Sequence, residues 1–120
     1  MNSTSFSTIV SKDSMPNINV VMDYLQLNSP GIKICVAKIE DDKDDVLFHV
    51  LANNLMKGQE GAFARRFLNA VEKPEHKSTL PLMTFTEYPT IKTPEQLQEK
   101  VDKYRDGSCK VRVYKRNWKK

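Results

Sequence analysis

Ile32-Lys33-Ile34-Cys35-Val36-Ala37-Lys38-Ile39 is followed by a polar break, Asp41-Asp42-Lys43-Asp44-Asp45, and then by Val46-Leu47-Phe48-His49-Val50-Leu51. The first stretch is rich in β-branched residues. In the second, Val46, Phe48 and Val50 alternate onto one side of an extended chain. The pair reads as a β-hairpin, although no glycine in the loop fixes its turn type. A sheet with an apolar face needs cover, and the rest of the chain supplies amphipathic helices to provide it.

On the N-terminal side, Ser14-Met15-Pro16 suits a helix start, with Ser14 as cap and proline in the first turn. Ile18, Val21, Met22 and Leu25 follow at i, i+3, i+4 and i+7, and Asn28-Ser29-Pro30-Gly31 ends the element. Residues 1–13 read as a flexible arm, which Phe6, Ile9 and Val10 would pin to the body as a short edge strand.

On the C-terminal side, Phe63, Phe67, Ala70 and Val71 repeat at helical spacing over 60–73. Thr79 to Tyr88 is expected as a strand that starts late or lies at an edge, because Pro81 cannot donate to a ladder. Thr93-Pro94-Glu95-Gln96 matches a capping box with proline at the first helical position, and Leu97, Val101 and Tyr104 form its buried stripe. Gly107 is expected to stop that helix in the left-handed region. Cys109 to Trp118 reads as the last strand. The expected fold is a small α+β sandwich: a mostly antiparallel sheet of about four strands under three helices. Its order is α-β-β-α-β-α-β, in one domain over 14–120.

The chain has 120 residues, 19 of them basic and 15 acidic, for a net charge of +4. Residues 1–60 hold five basic and eight acidic side chains, and residues 61–120 hold fourteen and seven. Such asymmetry points to a polyanionic partner or an interaction tail. No apolar run approaches the roughly 20 residues of a bilayer span. The serine- and threonine-rich start lacks the basic and apolar regions of a secretory signal, so an intracellular protein is expected. Cys35 and Cys109 do not make a disulfide framework and are expected as reduced thiols in apolar stretches.

The chemistry is concentrated in the last strand. Lys110, Arg112, Tyr114, Arg116 and Trp118 occupy alternate positions, opposite Cys109, Val111 and Val113, and Lys119 and Lys120 add charge. One face would thus be basic and aromatic. Cations replace phosphate counterions and flat rings stack on bases, so this face is expected to bind nucleic acid. Arg65 and Arg66 would extend the patch if their helix lies nearby. The alternative is a protein-binding accessory or inhibitor domain that acts through its charge asymmetry, with self-association also open.

Other chemistries lack their residues. The run Glu40 to Asp45 has neither the glycine nor the distal glutamate of a calcium loop. His49, His76, Cys35 and Cys109 lack the paired spacing of a zinc site. No Gly-Lys-Ser/Thr follows Gly58 or Gly61. The sequence therefore implies no cofactor, no metal, no membrane partner and no enzyme mechanism.

Overall fold

A computed structural model describes residues 2–12, 17–40, 45–71, 86–107 and 109–118. Its elements in chain order are β1 (Asn2–Ser11), α1 (Ile18–Asn28), β2 (Lys33–Glu40), β3 (Asp45–Leu55), α2 (Glu60–Val71), β4 (Thr86–Glu87), α3 (Pro94–Asp102) and β5 (Lys110–Arg116). A short 3₁₀ turn, Lys103–Asp106, follows α3. The five strands form one antiparallel sheet in the order β4-β1-β3-β2-β5. The protein is thus an α+β domain. The expected hairpin is present as β2 and β3, in register from Lys33↔Asn53 to Glu40↔Val46.

The largest departure lies at the N-terminus. Residues 2–11 are no loose arm or edge; they are β1, an inner strand paired with β3 on one side and β4 on the other. The observed order is therefore β-α-β-β-α-β-α-β. The first six elements form a split β-α-β, or ferredoxin-like, arrangement. The segment α3–β5 is added to it, with β5 completing the β2 side of the sheet.

Alternation sorts the strands onto two faces. Phe6, Val10, Ile34, Val36, Val46, Phe48, Val50 and Ala52 face α1 and α2, and they pack there with Met22, Leu25, Phe63 and Phe67. Phe67 sets its ring edge-to-face against Phe6 and Phe48, at centroid separations of 5.7 and 5.8 Å. The opposite face carries Cys35, Ala37, Ile39 and Leu51, which pack with Leu97 and Val101 of α3. The sheet is buried on both sides, in three layers, so most residues of β2 and β3 are apolar in both registers.

Local signals explain the helices. The amide of Asn19 donates to Asn17 Oδ1 at 2.9 Å, so Asn17 caps α1. The expected cap, Ser14-Met15-Pro16, lies outside the described residues. The capping box of α3 forms as read: Gln96 N donates to Thr93 Oγ1 at 3.2 Å, and Thr93 N donates to Gln96 Oε1 at 3.1 Å. Gly58 turns the chain from β3 into α2 at φ 84°, a conformation that favours glycine. Gly107 is not left-handed, with φ at −103°; the 3₁₀ turn closes α3 instead, through Gly107 N donating to Tyr104 O. Of the strand expected over 79–88, Thr86–Glu87 forms β4, and 79–85 lies outside the described residues.

Candidate nucleic-acid interface

β5 runs antiparallel to β2, which sets Lys110 opposite Glu40, Arg112 opposite Lys38, Tyr114 opposite Val36 and Arg116 opposite Ile34. Ile34 and Val36 point toward α1 and α2, so this register carries the β5 row to the same side. Along that row the environment changes from core to solvent. Tyr114 is half-buried against the main core. Arg116 is held by α1: its Nη1 donates to Asp23 Oδ1 at 2.9 Å and its Nη2 to Asn19 Oδ1 at 3.1 Å. The guanidinium that the sequence offered to a ligand is thus spent on an internal contact, a surface pair worth about 1 kcal/mol at most.

Lys110 and Arg112 lie beyond the helices. With Lys38 and Glu40 they line an open recess of about 200 Å³. Lys38 Nζ lies 2.8 Å from Glu40 Oε1. The hydrogen bond from Lys38, together with the charges of Lys38, Lys12 and Lys110, holds the Glu40 carboxyl below its ordinary range, against a smaller opposing effect of burial. Among the described residues, four cations, Lys12, Lys38, Lys110 and Arg112, thus lie around the Glu40 carboxylate at the corner where β2 ends and β5 begins.

Other residues expected in the patch lie elsewhere. Trp118 leaves the row because Asn117 takes a left-handed conformation, φ 65°, which breaks the alternation. Its ring packs on the α3 side, with Lys33 Nζ at 5.5 Å from the ring centroid. Arg65 is exposed on α2. Arg66 lines a separate recess with Asn28, Pro30, Ile32 and Met56, beside the start of β2 rather than its end. Lys119 and Lys120 lie outside the described residues.

A second polar cluster, not assembled from the sequence, joins β1 and β3 to Tyr88, just after β4. Ser5 Oγ and His49 Nε2 are 3.2 Å apart, and so are Ser7 Oγ and the Tyr88 hydroxyl. Tyr88 stacks on His49 at 4.7 Å, and Lys100 Nζ sits 4.3 Å from the Tyr88 ring centroid. Burial, aided by the charge of Lys100, pushes the His49 pKa down to about 4. A serine–histidine nucleophile needs a third group to orient the base and a path for substrate. His49 is buried, and among the described residues no carboxylate hydrogen-bonds its ring. The cluster satisfies the polar face of β1; its signal in the sequence was the Ser5–Ser7 alternation around Phe6.

Burial raises the Cys35 thiol to about 11, an effect that the charge of Lys115 opposes and that of Glu95 adds to. A thiol so closed off is inert. Iodoacetamide at pH 8 is expected to leave Cys35 unmodified in the native protein and to alkylate the half-buried Cys109 first, as peptide mass mapping would show. Equal labelling of both would contradict the burial of β2.

Among the described residues no group of three or more histidine, cysteine, aspartate or glutamate side chains is placed to hold a metal ion. Nor is any helix among them long and apolar enough to cross a membrane. No protein-family model, curated protein or solved structure shows a significant match to this chain.

Proposed function

We propose that this protein is a non-catalytic module that binds the sugar–phosphate backbone of nucleic acid at the β2–β5 corner. The observation that supports this reading is the convergence of Lys38, Lys110 and Arg112 on one open recess, with Lys12 near enough to act on Glu40, the one carboxylate lining it among the described residues. Residues two apart on a strand are separated by roughly 6.6–6.8 Å, so Lys110 and Arg112 present two cations in a row on one side of β5. Tyr114 is the next residue of that row. A mode in which bases stack on the open face of a sheet needs exposed rings there. Here α3 covers that face, which leaves the corner and favours backbone over base contacts.

Fluorescence anisotropy with labelled single- and double-stranded oligonucleotides, between about 50 and 200 mM salt, tests the reading. Each phosphate contact contributes about 0.7–0.9 to the slope of log affinity against log salt. The double variant Lys110→Ala/Arg112→Ala is expected to lower that slope by about 1.5 and to weaken binding about tenfold or more at low salt. Arg65→Ala/Arg66→Ala and Trp118→Phe are expected to bind as the parent does. Binding that ignores salt, or that fails only in the Arg65 and Trp118 variants, would overturn the assignment.

A second reading rests on a different observation. Among the described residues the outer edge of β5 pairs with no strand. An extended acidic segment of a partner protein would add to that edge, with backbone hydrogen bonds for affinity and the lysine and arginine side chains for selectivity. One stoichiometric protein partner, retained after nuclease treatment and lost on a proline substitution at Val113, would favour it.

A further inference from the structure

Where β1 begins, the sheet is irregular. Between the pairs Asn2↔Leu55 and Thr4↔Ala52 the register shifts, and Asn54 sits in the left-handed region at φ 67°. A bulge of this kind re-aims side chains, and a non-glycine residue at positive φ persists only where its surroundings hold it. Here Asn54 Nδ2 donates to Gly31 O at 2.8 Å, which anchors the turn. Two adjoining recesses open at this point, of about 470 and 350 Å³, and they share Asn2, Ser3 and Lys92. Each has the size of a metabolite site.

Two oxygens in the walls lack partners. Asn53 donates from Nδ2 to Lys92 O at 2.9 Å, which fixes the amide orientation and leaves Oδ1 buried without a hydrogen bond. Glu60 Oε2 accepts from Asn2 Nδ2 at 3.1 Å, while Glu60 Oε1 is buried and unpartnered. An unmet buried acceptor costs about 1–3 kcal/mol. Lys33 and Lys92 line the smaller recess, the Lys33 ammonium lying 5.5 Å from the Trp118 ring centroid, and Glu87 lines the larger recess with Glu60.

We propose that this cleft binds a sugar phosphate, its hydroxyls donating to Glu60 Oε1 and Asn53 Oδ1 and its phosphate set between Lys33 and Lys92. Phosphate alone would leave both acceptors unmet and bring negative charge toward the Glu60 carboxylate. A neutral sugar would leave both cations unused. The same chemistry is offered by a free sugar phosphate and by the phosphorylated end of an RNA strand. The proposal does not depend on the β2–β5 corner.

Chemical-shift titration of the ¹⁵N-labelled full chain with ribose 5-phosphate tests it, beside inorganic phosphate, ribose, alanine and a short 5′-phosphorylated RNA. Ribose 5-phosphate is expected to shift the amides of Ser3, Asn53, Asn54 and Lys92 and to bind about tenfold or more tightly than phosphate or ribose. Lys92→Ala, at an exposed position, is expected to weaken it about tenfold, and Glu60→Ala to remove its advantage over phosphate. Lys110→Ala/Arg112→Ala is expected to leave it unchanged, which separates this site from the corner. Tighter binding of the RNA, at the same amides, would identify a strand end as the source. Absence of shifts at these amides, equal binding of phosphate alone, or binding of alanine there would overturn the assignment.

Discussion

Phe67→Ala is expected to lower the free energy of unfolding by about 3–5 kcal/mol. The ring is fully buried and touches two of the inner strands, through Phe6 of β1 and Phe48 of β3. Truncation removes the transfer free energy of a benzyl group and leaves a void that α2 fills only by shifting. Two edge-to-face contacts disappear as well, each worth about 0.5–1.5 kcal/mol beyond burial. For a domain whose whole stability is about 5–15 kcal/mol, the loss brings unfolding close to ordinary temperatures. Urea denaturation followed by circular dichroism measures it. Leu27→Ala is the control: Leu27 is 81% exposed on α1, and its truncation is expected to cost under about 0.5 kcal/mol. Equal losses at the two positions would mean that α2 does not seat on the sheet through Phe67.

The second large effect is acid sensitivity carried by His49. In the folded protein its pKa is about 4, against an ordinary value of 6.5. The folded state therefore refuses a proton that the unfolded chain accepts. Stability from this group is complete above about pH 6.5 and falls as pH drops toward 4, by about 3 kcal/mol in all. Glu40, whose carboxyl is held low, loses its own contribution only on further acidification, because a depressed carboxylate acts above its folded pKa. His49→Gln keeps a polar group opposite Ser5 but cannot take up a proton. Denaturation midpoints at pH 7 and pH 4.5 are expected to differ strongly for the parent and much less for the variant. Parallel pH profiles for the two proteins would rule His49 out as the sensitive group.

How far the fold could be read depended on whether the signal was local. The β2–β3 hairpin, the buried stripe of α2 and the capping box at Thr93 are written in neighbouring residues, and each forms as read. β1 is written otherwise. Its sequence, Asn2 to Ser11, is polar at seven of ten positions, with Ser3, Ser5, Ser7 and Ser11 on one face, and such a strand looks like an edge or an arm. Its inner position depends on His49 and Tyr88, which give Ser5 and Ser7 partners from distant parts of the chain.

The candidate interface was legible in the same degree. The alternation from Lys110 to Arg116 is real, and Lys110 and Arg112 reach solvent beside Lys38. Two facts were hidden. Asp23 takes Arg116, a contact across the fold that no spacing rule reveals. Asn117 turns Trp118 to the other face; asparagine tolerates positive φ, so the residue type was a signal, but only the backbone shows that it was used.

The inner position of β1 has a kinetic consequence. β1 precedes β4 in the chain and is locked on that side only when β4 arrives, and Ser7 meets Tyr88 across 81 residues. On the other side of the sheet, Arg116 reaches back to Asp23 over 93 residues. Among the described ladders only β2–β3 closes a short loop. Most pairings must therefore pay loop-closure entropy before their contacts form, which places folding toward the slow, millisecond-to-second end for a domain of this size. On the ribosome, β1 waits with the apolar side chains of Phe6, Ile9 and Val10 until residues 86–87 emerge. The serines of its second face keep that waiting strand polar on one side, which limits its pairing with other chains in the interval.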